Sequence, residues 1–382
     1  MNTNYFSPHQ LFKGALLLTG LAILSSSAQG QAPKTPWVRP APLISPEVQA
    51  SGDVMVRFRA PKASDVKVAG QFGATTNLTK DEQGIWSVLL RQVPAGVHEY
   101  HFVVDGLSVL DAQNSFVKPQ RYPSSSVMHV PANPPALWDW QEIPHGTLHI
   151  HEYHSKALGK MRRVFVYTPP GAEGAGPLPV LYLSHGNGDN EATWTTHGKA
   201  HWILDALIAQ KKSQLMILVM PDAHAVPPRG GVFEEYSVDN TEAYCRELVE
   251  DVIPLVESNY KVNAAPAARA FAGLSMGGHH AFSVALNLHE KFAYVGAFSA
   301  VPPEPKFVAG GLDDPEATNK DLKLFWSACG KKDFLRERNE DFNTLLKQKG
   351  IRFEFVETEG DHSWPVWRRY LAEFAPKLFQ NP

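Results

Sequence analysis

The hydrophobic pattern changes period once along the chain. Between Asp53 and about Val130 apolar and polar residues alternate in short runs, "DVMVRFRA", "DVKVAGQF", "GIWSVLLR" and "VHEYHFVVDG", punctuated by Pro, Gly and Asp. Such alternation predicts half-buried strands, and several at this spacing predict a small β-sandwich of the immunoglobulin-like kind. Beyond "VPANPPALWDW" the apolar runs become more solid, as in "LPVLYLSHG", "LMILVMPDA", "ARAFAGL", "YVGAFSA" and "LKLFWSACG", with "IRFEFVE" as a further strand. Amphipathic stretches such as "THGKAHWILDALIAQKK" and "FLRERNEDFNTLLKQKG" stand between them. Solid strands alternating with helices predict an α/β fold whose central, mostly parallel sheet is covered on both faces. "GTLHIHEYHS" and "RRVFVYTPP" read as an antiparallel pair that opens this sheet. "TEAYCRELVEDVIPLVESNY" reads as one helix despite Pro254 near its middle.

The first thirty residues read differently. Lys13 precedes the short apolar core "GALLLTGLAIL" and the small residues "SSSAQGQA". This is the pattern of a secretory signal, cleaved after Ala28 or Gly30, and is too short to span a bilayer. The expected organisation is a signal peptide at 1–30, a Pro-rich lead-in at 31–47, a β-sandwich at 48–133 and an α/β domain at 136–382. A secreted or periplasmic protein with no membrane association after signal removal follows from it.

Composition narrows the class without naming it. The 382 residues are 43% hydrophobic and 20% charged, as in a globular protein. A net charge of -3 gives no general affinity for nucleic acid. The two cysteines, Cys245 and Cys329, have no neighbours that suggest a metal site or a thiol nucleophile. Two separate thiols are the expectation, with pairing left open. The oligomeric state is open as well.

The chemistry concentrates in "FAGLSMGGHHAF", residues 271–282. A buried strand runs into Gly-Leu-Ser-Met-Gly, and a helix-like stretch follows. Strand, G-x-S-x-G and helix make a nucleophile elbow, in which Ser275 sits on a strained turn. Gly273 and Gly277 leave room for the close approach of strand and helix, and the amide of Met276 points at a developing oxyanion. On this fold the acid and the base follow the serine in chain order. Asp333 lies just past "LFWSACG" and His362 lies in the loop after "IRFEFVE". His362 would take the Ser275 proton, and Asp333 would orient the imidazole. Asp313, Asp314 and the adjacent Asp361 are weaker acid candidates. Upstream, "LYLSHGNGDN" ends a buried strand and supplies a second oxyanion donor, for which Asn187 is chosen and Gly188 is the alternative.

Other polar and aromatic groups have plainer readings. His279 and His280 fall on the elbow helix as structural or surface groups. His149, His151 and Glu152 of "HIHEYH" lie close together, but no H-E-x-x-H or paired-cysteine pattern accompanies them, so neither metal nor cofactor is expected. Trp86, Tyr100 and Phe102 of the sandwich are read as core rather than as a sugar-stacking face.

With these residues in place, "LYLSHGNGDNEATWTTHGKAHWILDALIA", "VMPDAHA", "GLSMGG" and "GDHSWPVWRRYLAEFAPKLF" resemble carbohydrate esterase family 1, which includes feruloyl and acetyl xylan esterases and relatives of esterase D. The resemblance covers about residue 140 to the end. The segment before it looks like the early-set, glycogen-binding-like sandwich of many such enzymes. The resemblance implies an α/β-hydrolase fold and a serine esterase with Ser275, Asp333 and His362 as its triad. Its leading substrate is feruloyl xylan, with an ester-substituted plant polysaccharide or oligosaccharide as partner. Acetyl xylan or a siderophore ester is the alternative, and a carbohydrate-binding protein with a degenerate hydrolase domain is the non-enzymatic one. Trp194 and Trp364 are expected to pack against an aromatic acyl group. Two departures stand out: Asp361 and Asn187, where glycine is common in relatives.

Overall fold

The computed structural model describes residues 42–227 and 236–380. The expected signal peptide and most of the Pro-rich lead-in lie outside these residues. Within them the alternating region forms two antiparallel sheets. One orders Glu47–Val48, Val54–Arg59, Ile85–Leu90 and Thr79–Lys80. The other orders Gly73–Asn77, Val66–Gly70, Gly96–Val104 and Leu107–Val109, with Ser126–Val130 also paired to the long strand. Their inner faces share one core in which Val54, Val56 and Trp86 meet Val66, Val68, Tyr100, Phe102 and Met128. Trp86, Tyr100 and Phe102 are core residues, as the alternation implies. The Trp86 indole donates to the Ala60 carbonyl (2.9 Å), and the Tyr100 hydroxyl donates to Asp111 (2.7 Å). A buried polar tip needs such a partner.

The second region is built on an eight-stranded sheet: Thr147–Ser155, Lys160–Thr168, Val180–Ser184, Ile217–Pro221, Arg269–Leu274, Tyr294–Phe298, Leu324–Gly330 and Glu354–Thr358. In space the third and fourth strands exchange places and the other six keep chain order. The first pair is antiparallel along its whole length, the second strand pairs antiparallel with the fourth, and the rest are parallel. Both faces are covered, so alternate residues feed separate cores. Val164 and Val166 enter one with Tyr182 and Phe271, while Phe165 and Tyr167 enter the other with Leu181, Leu183 and Trp326. This two-sided burial explains the solid apolar runs.

The helix expected through Pro254 is interrupted. Val238–Glu247 is α-helical, Leu248–Val252 widens into a π turn, and Ile253–Asn259 resumes with Pro254 in its first turn. Proline has no N–H to donate and its ring crowds the preceding turn, and the wider turn accommodates both. Cys245 and Cys329 are both free thiols. Among the described residues no helix is long and apolar enough to cross a membrane.

Candidate active site

Ser275 stands between the strand Arg269–Leu274 and the helix Met276–Asn287 with φ 52° and ψ −109°, a conformation that a side chain rarely adopts. The glycines around it are required by contact. A Cβ at Gly273 would come within 2.4 Å of the Gly277 carbonyl oxygen, and one at Gly277 within 2.6 Å of the Ser184 carbonyl oxygen. The turn is fixed by the Ser275 amide donating to Phe298 (2.9 Å) and by the His279 amide donating to the Ser275 carbonyl (3.0 Å).

Two distant segments converge on the serine. His362 Nε2 lies 3.0 Å from Ser275 Oγ, and His362 Nδ1 lies 3.0 Å from Asp333 Oδ2 and 3.1 Å from Oδ1. Asp333 is only 4% exposed, and its Oδ1 also accepts from the Leu335 amide (2.9 Å). Burial acts to raise its carboxyl, but the hydrogen bonds from His362 and the Leu335 amide outweigh burial and hold it below the ordinary carboxylate value. A carboxylate that stays ionised fixes the Nδ1–H tautomer and leaves Nε2 free to accept the serine proton. The weaker acid candidates are engaged elsewhere. Asp313 pairs with Lys349 (2.7 Å), Asp314 caps the helix Pro315–Asp321, and Asp361 accepts from the Ser363 hydroxyl.

The serine opens into a cavity of about 320 Å³. Asn187 lines it, and a Cβ at Gly186 would lie 3.4 Å from the Ser275 Cβ, so the loop after Val180–Ser184 passes directly beside Ser275. Met276 begins the helix and is fully buried. Positioned amides at this place can stabilise an oxyanion.

The tryptophan expectation needs correction. Trp194 is 1% exposed, its indole donates to the Ser184 carbonyl (2.9 Å), and it does not line the cavity. Its ring meets the edge of Trp364, so it supports the wall from behind. Trp364 does line the cavity but is almost wholly buried. Two aromatics missing from the sequence reading do more. Phe334, 76% exposed, sits 4.6 Å from the His362 ring, and Trp367 sits edge-on to it at 4.9 Å; both line the cavity. The adjacency of Phe334 to Asp333 was the available signal. Gln71, Glu99 and Lys118 also line the cavity, and all three come from the β-sandwich region. No periodicity or motif marks them.

The histidines divide clearly. His279 lies 3.0 Å from both Thr241 Oγ1 and the Val301 carbonyl, and His280 is fully buried against Tyr244. His149 and His151 are held by Thr168 (3.0 Å) and Tyr260 (2.5 Å). His185, Asp222 and His224 have ligand atoms within 4.8 Å of one another. Their lone pairs are engaged: the Ala223 amide donates to His185 Nε2 (2.9 Å), and Arg162 donates to Asp222 (2.9 Å). Two guanidiniums, Arg162 and Arg121, border this group and oppose a cation there.

Residues 155–378 match the model of the Putative esterase family, and the chain belongs to that family. An endo-1,4-β-xylanase/feruloyl esterase of Xylanibacter ruminicola is 31% identical over 346 residues, which span 88% of this chain and 46% of that longer protein. A ferulic acid esterase from Anaeromyces mucronatus, solved with ferulic acid, superposes with a TM-score of 0.55 at 20% identity, over 63% of this chain and 93% of that one. The enterobactin esterase of Shigella flexneri gives 0.60 at 17% identity, over 86% and 93%. These two structures share the fold.

Proposed function

We propose that this protein is an exported serine carboxylic ester hydrolase that releases feruloyl groups from plant cell-wall xylan through an acyl-enzyme. The observation that carries the reading is the continuous hydrogen-bonded line from Ser275 Oγ through the His362 ring to Asp333 at a strained elbow. In the first step His362 Nε2 takes the Ser275 proton while Oγ bonds to the ester carbonyl carbon. The carbonyl electron pair moves onto oxygen, facing the amides of Met276 and Asn187. As the intermediate collapses, His362 returns the proton to the departing alcohol. Water then repeats the sequence on the acyl-enzyme, and the free acid leaves.

The aromatic acyl group is supported by the exposed Phe334 ring and the Trp367 edge beside His362, and by the feruloyl esterase name of the Xylanibacter relative. Aromatic packing contributes about 0.5–1.5 kcal/mol beyond area burial, up to about tenfold in kcat/KM. The test compares specificity constants for methyl ferulate, 4-nitrophenyl acetate, acetylated xylan and a catecholate triester. Preference for the feruloyl ester, after correction for intrinsic reactivity, supports the reading. Preference for an acetyl or catecholate ester replaces it with an acetyl xylan or siderophore esterase.

A further inference from the structure

The loop Gly186–Asn190 carries the proposed oxyanion amide, yet its crest is not held by packing. Gly188 has φ 79° with open space where a side chain would stand, and Asn187 is exposed. Hydrogen bonds must therefore fix its course, and part of them come from the other region of the molecule. The Arg121 amide donates to the Gly188 carbonyl (2.8 Å), and Gln120 pairs with Asp189 as an antiparallel bridge. The Thr193 hydroxyl donates to the Pro119 carbonyl (2.6 Å). Lys118 Nζ lies 3.3 Å from Asp189 Oδ1 and 3.1 Å from Glu99 Oε1. Lys118 is 7% exposed and Asp189 3%. Four consecutive residues, 118–121, thus lie along the loop as a strap.

We infer that the strap Lys118–Arg121 is a positioning element for the oxyanion loop, so that the β-sandwich region sets the transition-state contacts of an active site whose nucleophile it does not supply. This rests on the esterase reading above. An oxyanion donor acts only if its N–H is aimed before the charge develops, and displacement of such a donor lowers kcat with little change in substrate binding. Lys118 carries the charged part of the strap. Without it, the buried Asp189 carboxylate and the half-buried Glu99 carboxylate lose the cation between them, and the charged tie from the strap to the loop is gone. Thr193 carries a neutral part and does not line the cavity.

The test uses the full-length protein and 4-nitrophenyl acetate, an ester without a sugar part that could bind the sandwich wall. Lys118→Met should lower kcat at least tenfold (complete loss of one donor costs on the order of 10²–10³-fold) with KM moved less than threefold. Lys118→Arg should recover most of the rate, and Thr193→Val should cost about threefold. A phenylboronic acid, which forms a tetrahedral adduct on the serine, should lose affinity by the same factor as kcat in each variant. Should Lys118→Met fail to fold, Thr193→Val and Lys118→Arg carry the comparison alone. Unchanged kcat and boronate affinity in folded variants would overturn the inference. So would a change confined to KM with kcat and boronate affinity intact, which would make Lys118 a substrate contact. Ser275→Ala serves as the separate control: if it too retains full activity, the esterase reading fails and not the strap alone.

Discussion

The elbow and the sandwich wall meet in one cavity, but they are built on opposite terms. At the elbow, backbone fits against backbone: Gly273 against Gly277, Gly277 against Ser184, and a serine held at positive φ between a strand and a helix. Nothing there can change size. At the wall, Lys118 links Glu99 to Asp189 of a loop with open space at its crest, and Gln71 stands beside Glu99. The difference separates what a site needs locally from what it borrows. The elbow is fixed by backbone contacts with Gly277, Ser184 and Phe298, whereas the loop Gly186–Asn190 is hydrogen-bonded to a segment about 70 residues earlier in the chain.

Substitutions at the elbow and its partners should have the largest effect on activity. Ser275→Ala and His362→Ala are each expected to lower kcat on the order of 10³-fold or more with folding intact. Asp333→Asn should fall nearly as far, because an amide holds the wrong imidazole tautomer. Steady-state rates with circular dichroism check all three, and a folded Asp333→Asn enzyme of near-normal rate would move the acid to Asp313, Asp314 or Asp361. The sandwich is expected to respond in stability instead. Phe102→Ala should cost about 3–5 kcal/mol of unfolding free energy, read by urea titration. The same protein below its transition should keep its rate on a small ester, since Phe102 does not line the cavity.

Gly277→Ala sharpens the contrast from the other side. The new methyl meets the Ser184 carbonyl, so stability should drop by about 1–3 kcal/mol and activity should fall with it, where an exposed glycine would tolerate the change. Phe334→Ala is the mildest structural change. With 76% of the residue exposed, melting should stay within experimental error, while KM for an aromatic ester should rise up to about tenfold and that for an acetyl ester should not. The smallest effect expected is in acid stability. Asp333 is held below the ordinary carboxylate value of about 4. Its contribution is therefore present above that value and is lost as pH falls through its lowered value. Stability measured from pH 6 to pH 2 should fall less steeply in Asp333→Asn than in the parent.

The contrast also explains what could be read from the sequence. Ser275, Asp333 and His362 each follow a strand-like run that ends in turn residues, and the chain order of this fold suggests their roles. The sandwich strands were legible where they alternate. Leu107–Val109 and Ser126–Val130 were not, because the connecting segment between them carries no period. Trp194 was misread for a reason that recurs: an indole near a site in sequence is as easily its foundation as its surface, and the bond to Ser184 decides which. Lys118 had no signal at all, since its partners Glu99 and Asp189 come from separate segments and only folding brings them together.

Ser275 is proposed as a nucleophile activated by His362. Reaction of the full-length protein with a fluorophosphonate, followed by proteolysis and mass spectrometry, tests it directly. One adduct is expected, on the peptide containing Ser275, formed at least a hundredfold more slowly in His362→Ala and absent in Ser275→Ala. Ester hydrolysis that continues with Ser275 unlabelled, or an adduct on another residue that tracks the loss of activity, would contradict it.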